Sequence, residues 1–77
     1  MLKIKDNVDL KELEKFGFEK NSFYYKKIGR SSFIDIDADK IISLYVGCKD
    51  VHLVILEKQL DILFDLIQAG LVEKVEG

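Results

Sequence analysis

Residues 22–56 contain four runs rich in β-branched and aromatic residues, and only a few residues separate each run from the next. The runs are SFYYKKI (22–28), SFIDID (32–37), IISLYV (41–46) and VHLVIL (51–56). Because parallel neighbours need a crossover of about a dozen residues or more, such short connections allow only antiparallel pairing. We therefore predict a four-stranded antiparallel meander, with the alternative that residues 51–56 extend the following helix.

A short helix is predicted before the strands, in DLKELEKFGF (9–18). Asp9 can cap its N-terminus, and Glu12 stands at the spacing that completes a capping box. Gly17 offers the left-handed conformation that ends a helix. The apolar face would consist of Leu10, Leu13 and Phe16.

A longer amphipathic helix is predicted in EKQLDILFDLIQAGLVEKV (57–75), ending at Gly70. At 100° per residue one face carries Leu60, Leu63, Phe64 and Ile67, which we expect to pack on the sheet. The predicted fold is therefore α+β: a short N-terminal helix, a four-stranded antiparallel meander sheet and a longer C-terminal amphipathic helix packed on one sheet face. All 77 residues fit one small domain, 1–77.

Ile62 and Leu66 stand well off that predicted core face and would form a second apolar stripe. Because a two-fold axis pairs like with like, the same stripe of a second chain is a simple cover. We therefore predict a homodimer with Ile62 and Leu66 at the contact, while the first helix or a foreign protein could cover the stripe instead.

The composition limits the cellular locations and partners that we expect for the protein. A net charge of −2 gives no overall attraction for nucleic acid or anionic lipid. The single cysteine cannot form an internal disulfide, and the N-terminus lacks the apolar core of a signal peptide. Polar residues interrupt the most apolar stretch, 51–72, which argues against a membrane span. We expect a cytoplasmic protein with no membrane association.

Three aspartates alternate in FIDIDADKI (33–41), as at the start of an EF-hand calcium loop. Counting from Asp35, the loop would need a glycine at its sixth position and a glutamate at its twelfth, which are Lys40 and Val46 here. We therefore expect no calcium site. Asp35 and Asp37 would line the wet face of a strand, and Asp39 would shape a turn.

Cys48 and His52 are the other candidates for chemistry, in CKDVH (48–52). A structural zinc site needs four ligands, and one Cys with one His supplies two. A thiol–imidazole pair can form a nucleophile, but the sequence does not decide whether the two side chains meet. Without a phosphate-binding loop or a catalytic motif, we expect no enzyme, no metal and no cofactor.

Basic and aromatic side chains concentrate in YYKKIGR (24–30). Aromatic rings beside cations can stack on single-stranded bases. The residues that would do so are Tyr24, Tyr25, Lys26, Lys27 and Arg30. A single-stranded nucleic-acid-binding protein is therefore the alternative function.

The segments KIKDNVDLKELEKFGF (3–18) and LDILFDLIQAGLVEKV (60–75) resemble small proteins of unknown function from prophages and Gram-positive bacterial genomes. The resemblance implies a bacterial cytoplasm and a phage accessory role, and it assigns no functional residue. Small phage proteins often act by binding a host protein. The leading hypothesis is a small non-catalytic protein-binding module with a regulatory role.

Overall fold

The chain forms a small α+β fold with two antiparallel sheets, and the computed structural model describes residues 1–76. In chain order the elements are β1 (Leu2–Ile4), a 3₁₀ helix (Leu10–Phe16), β2 (Glu19–Lys20), β3 (Tyr24–Ile28), β4 (Ser32–Ile36), β5 (Ile42–Tyr45), α1 (His52–Gln68) and β6 (Val72–Lys74). The larger sheet has the order β2-β3-β4-β5, and β1 pairs with β6 in a second, two-stranded sheet.

The predicted meander is confirmed for its first three strands, which are β3, β4 and β5. In the pairing of β3 with β4, Tyr24 lies opposite Ile36 and Ile28 opposite Ser32. Alternation along β4 then buries Ile34 and Ile36 on the face towards α1 and turns Phe33 and Asp35 to the other face, which we call the outer face.

The prediction of a fourth strand at 51–56 is wrong, and the alternative is correct, because these residues form the first turns of α1. In a helix Ile55 shares a face with Gln59 and Leu63, so the run extends one continuous core face. The fourth strand of the sheet is instead β2, two residues long and paired with the start of β3.

The predicted N-terminal helix is a 3₁₀ helix of seven residues. Asp9 Oδ1 accepts the Lys11 N–H at 2.9 Å, which confirms the cap, whereas the Glu12 carboxylate pairs with Lys15. Gly17 ends the helix at φ +86°, as predicted. The segment is short, and Leu13 is its one fully buried side chain. Tertiary packing therefore adds little stability to a regular α-helix here, and the chain adopts the tighter 3₁₀ form that is common in short segments.

The face of α1 that packs on the sheet differs from the predicted one. The buried residues are Ile55, Gln59, Leu63 and Leu66, and Ile62 is half-buried against the same core. Of the four residues predicted to face the sheet only Leu63 does so. The other three, Leu60, Phe64 and Ile67, lie at the surface.

The two ends of the chain are joined by the smaller sheet, which the sequence analysis did not predict. Ile4 of β1 lies opposite Val72 of β6 and is fully buried. Gly70, at φ +77°, ends the segment of α1 where predicted and lets the chain turn into β6. Among residues 1–76, no helix combines the length and the apolar character that crossing a membrane requires.

Candidate interaction surfaces

One side of α1 is a stripe of large apolar side chains that nothing covers within the described chain. We call it the α1 stripe; it consists of Leu53, Leu56, Leu60, Phe64 and Ile67. Their exposed fractions run from 41% for Leu56 to 79% for Leu53. At 100° per residue all five lie within an arc of about 80°. An exposed contiguous patch of this kind marks a contact surface far more often than a scattered apolar residue does.

The position of the stripe is set by how α1 lies on the sheet. Lys58 and Ile62 line a depression together with residues 26–29, so that flank of α1 faces the β3 side. The α1 stripe is on the opposite flank of the helix, away from residues 26–29. Leu44 of β5 is 39% exposed and lies on the same face of the sheet as Ile34, the face that carries α1.

Gln59 fixes the rotation of α1 about its own axis. The side chain is fully buried, and its Nε2 donates to the backbone carbonyls of Tyr45 at 3.0 Å and Phe33 at 3.3 Å. The amide therefore bridges β4 and β5 from the side of the sheet that carries α1. The Gln59 Oε1 atom is buried without a hydrogen-bond partner among residues 1–76. These two bonds orient the Gln59 face of α1 towards the sheet and leave the α1 stripe outside.

Asp50, just before α1, ties the start of the helix to the hairpin between β3 and β4. Its carboxylate accepts the Ser32 hydroxyl at 2.7 Å, the Ser31 N–H at 2.8 Å and the Arg30 N–H at 2.9 Å. The Ser32 hydroxyl, followed by the two backbone donors, lowers the pKa of the Asp50 carboxyl far below its ordinary value. Asp50 therefore acts as an ionised structural anchor.

The residues predicted for a dimer contact belong to the core side of α1. Leu66 is fully buried, and Ile62 packs against the core with part of its surface free. The apolar arc of the helix has the predicted extent, but the predicted core part is at the surface and the predicted contact part is in the core. The signal that identifies the exposed stripe is the extension of the helix to residue 52, because Leu53 and Leu56 then align with Leu60.

Aromatic side chains form a second exposed surface on the outer face of the larger sheet. Across the strands, Lys27 lies beside Phe33 and Phe33 beside Tyr45. The rings of Phe33 and Tyr45 stack with centroids 4.9 Å apart and planes 23° apart. In the neighbouring row Tyr25 lies between Glu19 of β2 and Asp35 of β4.

A groove of about 410 Å³ opens on this face. Its lining consists of Asn21, Ser22, Phe23, Tyr25, Phe33 and Asp35. Phe23 is 48% exposed, and no hydrogen bond or ion pair engages the Asp35 carboxylate within residues 1–76. The groove thus combines three aromatic walls with an unpaired carboxylate.

The five residues considered for nucleic-acid binding do not share one surface. Tyr24 is buried and its hydroxyl donates to Glu14 at 3.1 Å; burial and that bond raise the pKa of Tyr24. Lys26 lies on the same side as Tyr24, whereas Tyr25 and Lys27 lie on the outer face. Arg30 is exposed in the turn after β3.

The three alternating aspartates also serve separate roles. Asp35 lies on the outer face, and Asp37 accepts the N–H groups of Asp39 at 2.9 Å and Ile41 at 3.1 Å, so Asp37 rather than Asp39 shapes the turn. Cys48 and His52 are both exposed. Within the part of the chain that the structure describes, no three acidic, His or Cys side chains group as metal ligands would.

Comparison with protein-family models, with curated proteins and with solved structures found no match to this chain. The resemblance to small prophage proteins therefore stays a prediction.

Proposed function

We propose that the chain is a small non-catalytic protein-binding module whose principal contact surface is the α1 stripe. The observation that carries the proposal is the exposure of Leu53, Leu56, Leu60, Phe64 and Ile67 along one side of a single helix. Together these side chains present on the order of 500 Å² to solvent, as much as the largest patch on a typical monomeric protein.

A second copy of the chain is the partner whose shape best fits the stripe. Its residues are spaced symmetrically about Leu60, with Leu56 and Phe64 four residues away and Leu53 and Ile67 seven residues away. In an antiparallel pair related by a two-fold axis at Leu60, Leu53 therefore lies opposite Ile67 and Leu56 opposite Phe64. Every apolar residue of the stripe has an apolar partner.

The area of such a contact is sufficient for a specific dimer of moderate affinity. Two stripes bury on the order of 1,000 Å² in total, which is the size of weak and transient protein interfaces. Contacts of this size without strong charge pairs fall in the micromolar range more often than in the nanomolar range. We therefore expect monomer and dimer to exchange at micromolar concentrations.

Acidic residues border the stripe and give the dimer a recognisable salt dependence. Glu57 lies next to Phe64 on the flank of α1 that faces away from the sheet, and Asp61 lies farther round the helix, where it also lines the depression beside residues 26–29. An antiparallel two-fold pair brings this flank of one copy beside the same flank of the other, so the carboxylates repel. Added salt screens that repulsion and should strengthen the dimer.

Sedimentation equilibrium on the wild type and two variants tests the proposal. Leu60→Glu places two glutamates face to face on the two-fold axis and should leave a folded monomer. Val54→Glu is the matched control, because Val54 is 49% exposed on the same helix but away from the stripe. It should dimerise as the wild type does at a salt concentration that screens the added charge.

The outcome that contradicts a second copy as the partner is a wild type that stays monomeric up to high micromolar concentrations at all salt concentrations. Loss of the dimer in both variants would assign the effect to charge on α1 in general and not to the stripe. Circular dichroism of each variant separates loss of contact from loss of fold.

Single-stranded nucleic acid finds less support as the ligand, because the buried Tyr24 ring is not available for stacking. On the outer face Glu19 and Asp35 stand beside Tyr25, where phosphates would be repelled.

A further inference from the structure

The groove on the outer face has the composition of a site for a delocalised cation. We propose that it binds the arginine side chain of a partner protein. The groove lies on the opposite side of the sheet from α1, so it is a second contact surface. The inference rests on the proposed protein-binding function for the source of the arginine and does not depend on the α1 stripe.

Aromatic walls supply the first part of the recognition. Tyr25 and Phe33 stand on neighbouring strands at diagonal positions, and Phe23 closes one end of the groove. The stack with Tyr45 holds the Phe33 ring in place from the other side. A planar guanidinium stacks on such rings through cation–π attraction and gives up less hydration than an ammonium.

Carboxylates supply the second part. Asp35 is half-buried in the groove and has no ion-pair partner within residues 1–76, so its charge is available to a ligand. Glu19 adds a second negative charge on the other side of Tyr25. A guanidinium can donate two parallel hydrogen bonds to one carboxylate, which a lysine ammonium cannot do in the same plane.

The charges on this face distinguish arginine from a nucleotide. Both have planar groups that stack on aromatic rings. The groove itself contains one carboxylate and no cation, and Lys27 is the only basic residue in the described rows of the outer face. A phosphate would therefore approach two carboxylates, whereas a guanidinium neutralises them.

Titration of ¹⁵N-labelled protein with N-acetyl-arginine methylamide, followed by NMR, tests the proposal. Shifts should concentrate at residues 21–25 and 33–35, with a Kd on the order of 1 mM for this single-residue probe. The citrulline analogue is the neutral control probe: it keeps the planar shape without the charge, and it should bind at least about tenfold more weakly.

Two variants locate the interaction. Asp35→Asn should weaken arginine binding about tenfold, because a charge-assisted pair is lost. Asp39→Asn is the matched control, since Asp39 is an exposed carboxylate in the turn that follows β4. It should bind as the wild type does. If Asp35→Asn fails to fold, the comparison of arginine with citrulline on the wild type still decides the question.

Equal binding of the arginine and citrulline probes would overturn the proposal, as would the absence of shifts at tens of millimolar arginine. Tighter binding of a single-stranded oligouridine to the same residues, weakened by salt, would assign the groove to nucleic acid instead. The arginine titration is repeated on Leu60→Glu, which is expected to be a monomer. If this variant binds arginine as the wild type does, the groove acts independently of the dimer contact, and a negative result for one surface does not affect the other.

Discussion

The two sides of α1 carry the same kinds of residue and have opposite environments. Leu66 is fully buried, whereas Leu60, six residues earlier on the same helix, is 51% exposed. Neither residue type nor helix propensity distinguishes them. The difference lies in Gln59 and Asp50, whose hydrogen bonds to the larger sheet fix which side of the helix faces that sheet. A polar residue in a core can thus decide how an apolar helix is oriented.

The largest difference in stability between the two sides of α1 is expected when a side chain on the core side is shortened. Leu66→Ala should destabilise the fold by about 2–5 kcal/mol, because it removes a fully buried side chain and leaves a cavity. Urea unfolding measured at a concentration where the protein is monomeric gives the value. Leu60→Ala, in the same experiment, should change stability by less than about 1 kcal/mol. Equal losses for the two variants would mean that the rotation of α1 described here is wrong.

A smaller loss is expected when the orienting amide is removed. Gln59→Leu keeps the approximate volume but leaves the Tyr45 and Phe33 carbonyls without their side-chain donor. We expect a loss of about 1–3 kcal/mol, partly offset by the removal of the unpaired Oε1 atom. Gln68→Leu, at an exposed position of the same helix, is the control for the substitution itself. A more stable Gln59→Leu variant would show that the amide costs more than it contributes.

The Asp50 anchor gives stability a distinct dependence on pH. The folded pKa of Asp50 is lowered below its unfolded value of about 3.9, so its contribution is complete above pH 4 and is lost as the pH falls further. Unfolding measured between pH 2 and pH 7 should show this loss in the wild type. Asp50→Asn should be less stable at neutral pH and show a flatter acid limb, whereas Asp39→Asn should retain the wild-type profile. An unchanged acid limb in Asp50→Asn would remove Asp50 as its cause.

The smallest effect on folding is expected at the most exposed position of the α1 stripe. Leu53 is 79% exposed, so Leu53→Ser should change the stability of the monomer by about 0.5 kcal/mol or less. The same variant should weaken the dimer, since it removes an apolar contact at each end of the antiparallel pair. Urea unfolding and sedimentation equilibrium measure the two quantities separately. A large loss of monomer stability would place Leu53 in the core.

Sequence reasoning succeeded where a local rule sufficed. Gly17 and Gly70 both end their helical segments in the left-handed conformation, because backbone sterics make glycine the cheapest residue there. The alternation of Ile34 and Ile36 against Phe33 and Asp35 follows from the pleat of a strand. Prediction from the sequence failed for residues 51–56, because a run of six mostly apolar and β-branched residues is too short for its periodicity to distinguish a strand from a helix.

The candidate surfaces could not be predicted from local rules, because their residues are brought together by tertiary contacts. The groove joins residues 21–25 with residues 33–35, and only strand register brings Tyr25 next to Asp35. Tyr24 and Tyr25 are neighbours in one run of the sequence, but their side chains leave the sheet on opposite faces. Phe33 and Tyr45, which complete the surface, come from other runs.

The sequence by itself determined the antiparallel connectivity of three strands, the C-terminal ends of both helical segments and the presence of more apolar surface on the last helix than one sheet contact requires. These features follow from turn length, glycine sterics and helical periodicity, which act within a few residues. Only the tertiary structure decided that Leu66 is inside and Leu60 outside. That choice depends on the reach of the Gln59 amide to two strands and of the Asp50 carboxylate to a hairpin, contacts between residues 14 to 26 positions apart in the chain.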